Sequence, residues 1–141
     1  MNKSSVDRLQ IVQNAAARLL TKSKKSCHIT PILASLHWLP VQYRIQFKVL
    51  TITYRARHGQ TPTYISELIE SHSTTRSLRS ADQHLLAAPR TRLVTKGDRA
   101  FKAAAPRLWN ALPLQIKVAP TESLFKRQLK THLFRQAFGH L

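Results

Sequence analysis

The sequence predicts a mainly α-helical chain, folded as a small irregular bundle. Three observations carry that expectation. Apolar residues recur at helical spacing in most segments. Three segments open on a proline, at Pro31, Pro40 and Pro62, at the first helical position where its missing N–H costs nothing. The chain holds only 3 glycines, and strand-like patterning is confined to one stretch, where a short β-hairpin is expected around residues 85–96. At 141 residues the length suits one domain, on the prior of roughly 100–200 residues each. It divides into an N-terminal helical part (1–72) with a long central helix over 40–58, a basic irregular segment (73–97) and a C-terminal helical part (98–141).

The first helix runs from about Val6 to Leu20. Leu9, Val12, Ala15, Ala16, Leu19 and Leu20 share one arc and form the expected buried face, with Asp7, Gln10, Asn14 and Arg18 outward and Ile11 misplaced. Thr30-Pro31 starts a short helix through Leu36, and Thr61-Pro62 a third to about Ser71, striped by Tyr64, Ile65, Leu68 and Ile69; both threonines are candidate N-caps. The long helix from Leu39-Pro40 ends at His58, where Gly59 supplies the stop. It carries two apolar stripes on opposite sides, Tyr43, Phe47, Leu50 and Tyr54 against Val41, Ile45, Val49 and Ile52. A helix apolar on both sides is sandwiched between neighbours. Between the stripes Arg44, Lys48 and Arg55 form a line of cations.

Beyond Ser73 the helical pattern lapses until about Gly97. Leu85-Leu86-Ala87-Ala88 and Leu93-Val94-Thr95 read as two short strands about a turn, and Arg90, Arg92, Lys96, Arg99 and Lys102 crowd the densest basic run. Asp98 is the candidate N-cap of the next helix, with Phe101, Ala104, Ala105, Leu108 and Trp109 buried, Pro106 kinking or restarting it, and Leu112-Pro113 ending it. Thr121 caps a last helix striped by Phe125, Leu129 and Leu133, with Lys126, Arg127 and Lys130 opposite. Trp38, Phe101 and Trp109 are expected as structural anchors, since a buried Trp contributes large apolar area; for the two tryptophans the alternative is a base-stacking platform.

Charge is the outlier. Lys and Arg number 23 against 6 Asp and Glu, a net +17. Both halves share it, with ten basic and three acidic groups in residues 1–70 and thirteen and three in 71–141. A domain this basic repels itself unless a polyanion offsets it, so an RNA or DNA phosphate backbone is the expected partner. The line Arg44, Lys48, Arg55 and the run Arg90, Arg92, Lys96, Arg99, Lys102 are the candidate nucleic-acid-binding residues; a solvated ridge and a loop with ordinary solvating charge are the bland alternatives. An anionic membrane surface or an acidic protein is the minority alternative to nucleic acid. No 18-residue apolar run exists, so no transmembrane helix is expected, and no membrane is counted among the expected partners.

Catalysis is not expected either. Two-metal phosphoryl transfer needs clustered carboxylates, and of the 6 acids only Glu67 and Glu70 lie close in sequence. No Gly-rich phosphate loop, GxSxG or HExxH occurs, and the 7 histidines form no i,i+4 pair to seat a metal. The single Cys27 can build neither an internal disulfide nor a thiolate zinc site alone. Neither cofactor nor metal is expected.

Three separated blocks carry a family resemblance. Ser35-Leu36-His37-Trp38-Leu39-Pro40 is followed by Arg44-Ile45 and Phe47-Lys48. Gly97-Asp98-Arg99-Ala100-Phe101 precedes Ala104-Ala105-Pro106, Leu108-Trp109-Asn110 and Leu112-Pro113. Phe125-Lys126 precedes Leu129-Lys130-Thr131-His132-Leu133-Phe134-Arg135. In order and spacing these resemble the C-terminal extension of the reverse transcriptase polyprotein of non-LTR (LINE-type) retrotransposons, over essentially the whole chain. One departure is Cys27, where the family usually has an acid before His28. The resemblance implies a truncated copy of a tail lying after the polymerase domains. The parent's Tyr-x-Asp-Asp aspartates and endonuclease lie upstream and are absent from this sequence, so no catalytic residue carries over. It also implies the reverse transcriptase core as an alternative partner, on which the module docks and apart from which it is inert, and a nuclear or cytoplasmic location.

Overall fold

The computed structural model describes residues 3–72, 83–89 and 100–139. Among them the chain is mainly helical, as expected, with seven helices and no sheet: α1 (Lys3–Thr21), α2 (Ile29–Ser35), α3 (Val41–Arg57), α4 (Thr63–Ser66), α5 (Phe101–Asn110), α6 (Leu114–Lys117) and α7 (Glu122–Phe138). The chain forms two compact units, Met1–Phe47 with Lys130–Leu141, and Lys48–Leu129.

In the first unit Ala17, Leu33 and Phe138 form a buried cluster, against which Ile32, Leu36, Trp38 and Phe134 pack. Here α1 overturns its expected orientation. The side chains it buries are Gln13 and Ala17, while Leu9, Val12, Leu19 and Leu20 are 47%, 66%, 80% and 64% exposed. The reason lies in hydrogen bonds and close approach. Gln13 Nε2 donates to the Leu39 carbonyl (2.9 Å), and Gln10 Oε1 accepts from the Val41 N–H (2.8 Å). Val41 opens α3, where the first N–H groups have no partner within the helix. Gln10 therefore caps α3 while Gln13 holds the Leu39 carbonyl just before it, and Ala17 is small enough for the backbone to approach Leu33. The larger apolar arc stays uncovered.

In the second unit a column of rings forms the centre. Tyr54 stacks on His58 (4.1 Å) and on Phe125 (4.4 Å), and Phe125 on Trp109 (5.9 Å). Each buried polar tip finds a carbonyl: Tyr54 Oη donates to Ala119 (2.9 Å) and Trp109 Nε1 to His84 (2.9 Å). Leu50, Leu86, Leu129, Ala103 and Ala105 are buried in the same unit. The Asn110 side chain clamps Leu86, accepting from its N–H and donating to its carbonyl, both at 2.9 Å. Leu86 in turn bridges antiparallel to Ser71, with His72 N donating to Leu85 O and Ala87 N to Glu70 O. The strand-like Leu85–Ala87 thus pairs with 70–72; the second strand of the expected hairpin lies outside the described residues.

The ends of the helices follow a common device. α3 closes on Gly59 (φ 66°), with Gln60 N donating to Arg55 O and Gly59 N to Ala56 O, the two bonds of a Schellman turn. α1 and α2 close on the same two bonds, but with Lys22 (φ 50°) and His37 (φ 53°) in the left-handed position. A Cβ there costs about 1–2 kcal/mol, against roughly 0.5–1 kcal/mol for the extra chain entropy of glycine. Lys22→Gly, at an exposed turn, is expected to stabilise the chain by about 0.5–1 kcal/mol in thermal melts; a lowered midpoint would contradict the strain.

The starts differ from expectation. α2 begins at Ile29 with His28 at its N-cap, which leaves Thr30 inside the helix and Pro31 in its first turn. α4 spans only Thr63–Ser66, with Pro62 at the N-cap, and Tyr64 is 67% exposed. Thr61 uses its hydroxyl on Ser66 instead (2.9 Å). Pro106 neither stops nor restarts α5: the helix runs through it to Asn110 with Pro106 buried, Ala100 at its N-cap, and Phe101, Ala104 and Leu108 only half-buried. Asp98 lies outside the described residues. Thr121 does cap α7, accepting from Leu124 N (3.3 Å), and Phe125, Leu129 and Leu133 are buried as the pattern predicts. Of α3 only Gln42, Arg44 and Lys48 are exposed, in keeping with a helix apolar on two sides.

Candidate nucleic-acid interface

Arg44 and Lys48 stand exposed on α3, with no ion pair to another described residue. Arg55 does not stand free beside them. Its guanidinium grips Glu122 at the start of α7, with Nε at 2.9 Å and Nη2 at 2.8 Å from one carboxylate oxygen. Lys126, one turn on, reaches the same oxygen (2.5 Å). The hydrogen bonds from Arg55 first and Lys126 second hold the Glu122 carboxyl below the usual range. Lys102 is exposed on α5 and pairs loosely with Glu70 (3.3 Å). Arg90, Arg92, Lys96 and Arg99 lie outside the described residues. Trp109 is fully buried, Trp38 and Phe101 half-buried, so each packs at least in part within its unit.

The second unit also brings together cations that the sequence left unremarked. The end of α3, the segment before α5 and the turn after α6 surround a cleft of about 280 Å³, lined by Arg57, His58, His84, Lys117 and residues 118–120. Lys117 is 6% exposed. Its Nζ donates to the Asn110 carbonyl at the C-terminal end of α5 (3.1 Å). A cation is favoured at a helix C-terminus, yet its charge is disfavoured twice, by burial first and by Arg57 second, and its pKa falls. Arg57 lies with Cζ 5.0 Å above the Trp109 ring, and burial lowers its pKa too. Among the described residues no carboxylate lines the cleft. No sequence signal points to this cleft, since Lys117 sits at the end of a short helix, α6, that no periodicity marks.

Among the described residues no group of His, Cys, Asp or Glu could hold a metal ion, and no helix is long and apolar enough to cross a membrane. Comparison with family models, with curated proteins and with solved structures finds no match.

Proposed function

We propose that this chain is a non-catalytic, basic helical module that binds the phosphate backbone of RNA or DNA, as the tail of a LINE-type reverse transcriptase to which its three blocks bear a resemblance. The surplus of cations carries the reading: 23 basic groups face 6 acids, and two of those acids, Glu122 and Glu70, are already engaged by Arg55, Lys126 and Lys102. Backbone contacts position a protein without reading sequence, so little sequence preference is expected. Binding of a generic duplex, followed against salt, tests it. Each phosphate neutralised on B-DNA contributes about −0.9 to the log–log slope, so three contacts or more give about −2.7 or steeper. The double variant Arg44→Gln/Lys48→Gln should flatten the slope by about 2. A slope near zero in the parent chain overturns the reading.

A second reading rests on α1. Its uncovered arc of Leu9, Val12, Leu19 and Leu20 is the kind of exposed apolar surface that marks a protein-docking face. On that reading the module packs against the polymerase core and is inert alone. A chain that ignores nucleic acid at low ionic strength, and self-associates through this face, favours it.

A further inference from the structure

We propose that the cleft beside the ring column of the second unit is a binding site for a single phosphate group. It involves none of the surface cations on which the nucleic-acid reading rests.

Two cations meet there with no counter-ion among the described residues. Burying like charges side by side is costly unless something of opposite sign joins them. Arg57 and Lys117 are close enough for the one to depress the pKa of the other, and no described residue offers a carboxylate to either in the cleft. Among the described residues their donors are also largely unspent. An ammonium has three N–H bonds, and Lys117 uses one, on Asn110. A guanidinium has five in a planar fork suited to phosphate. That of Arg57 lies over Trp109 and forms no ion pair with a described residue.

The histidines extend the set. His58 Nδ1 lies 2.8 Å from the Tyr54 carbonyl. A carbonyl only accepts, so Nδ1 carries the proton. His84 also lines the cleft, and its backbone carbonyl accepts from Trp109.

The ligand follows from charge and size. Two cations with N–H bonds to spare and no described carboxylate beside them select an anion, and the guanidinium fork selects tetrahedral oxyanions over halides. At about 280 Å³ the cleft is at the lower limit of ligand sites, which span roughly 300–1,000 Å³. It suits one phosphate group, free or at the end of a larger molecule. The frame is rigid: Tyr54, Trp109 and Phe125, which back it, are buried and stacked.

Titration of the full chain with inorganic phosphate, read by calorimetry and by thermal shift against sodium chloride of equal ionic strength, tests the site. Phosphate is expected to bind with 1:1 stoichiometry and raise the melting temperature beyond the chloride control. Lys117→Met and Arg57→Gln should each weaken binding at least tenfold (roughly 1.4 kcal/mol per tenfold), while Arg44→Gln/Lys48→Gln leaves it unchanged. A 5′-phosphorylated oligonucleotide competing better than its hydroxyl-ended twin identifies a nucleic-acid end as the source, and equal competition a free phosphate compound. No phosphate-specific effect in the parent chain overturns the proposal whether or not a variant folds, as does unchanged binding in a folded Lys117→Met or Arg57→Gln. Failure of duplex binding at low salt leaves this site standing, so the two readings fail separately.

Discussion

Replacing Trp109 with alanine is expected to cost about 3–5 kcal/mol of stability, the range for truncating a buried Phe or Trp. Trp109 has no exposed surface. It carries Phe125 at 5.9 Å on the ring column and Arg57 at 5.0 Å, and its indole N–H holds the His84 carbonyl at 2.9 Å. Truncation opens a void beneath Phe125, strands a carbonyl, and leaves Arg57 without the ring under its guanidinium. Natural domains are stable by about 5–15 kcal/mol in all, so one substitution removes a large share. Urea unfolding followed by far-UV circular dichroism measures it. Tyr54→Phe calibrates the column: it keeps the stacked ring and loses only the bond to Ala119, a change of about 1 kcal/mol. Trp38 is only half-buried, so Trp38→Ala should cost less than Trp109→Ala. Equal costs would contradict the ranking. A mild effect at Trp109 would mean that the column does not support the unit.

Much of this fold was legible because local signals and packing agree. The stripe Phe125, Leu129, Leu133 is the buried face of α7, Thr121 caps it, and Gly59 closes α3 in the left-handed conformation that glycine adopts without strain. Proline was read less well. Its fixed φ marks a helix start only to within a few positions, since it fits the N-cap and the first turn alike, and Pro106 stands inside α5 because that segment is buried and held by its neighbours. The candidate interface was legible only as charge. Spacing along α3 placed Arg44, Lys48 and Arg55 in one line. It could not show that Glu122, 67 residues on, engages the third. Nor could it show that Lys117 is buried, because lysine at the end of a four-residue helix reads as surface. Pairing and desolvation depend on contacts between distant segments, and periodicity contains no information on those.

Helix α1 gives the sharpest test of that distinction. Periodicity assigns its interior to Leu9, Val12, Leu19 and Leu20, and on that basis Leu19→Ser should be damaging. The structure predicts the reverse. Leu19 is 80% exposed, so its substitution should change stability by no more than about 0.5 kcal/mol, as surface substitutions do. Ala17 has no exposed surface and lies in the cluster with Leu33 and Phe138. Ala17→Asp forces a carboxylate among apolar groups with no room for water, and an uncompensated buried charge costs about 3–5 kcal/mol. The carboxyl would escape part of that cost by taking a proton, since burial disfavours its charged form. Stability of the Ala17→Asp chain should therefore recover somewhat as the pH falls toward 4, while that of Leu19→Ser tracks the parent. Urea midpoints of both variants at two pH values decide it. If Leu19→Ser proved the more damaging, the helix would sit with its leucines inward, and the glutamine contacts to Leu39 and Val41 could not form.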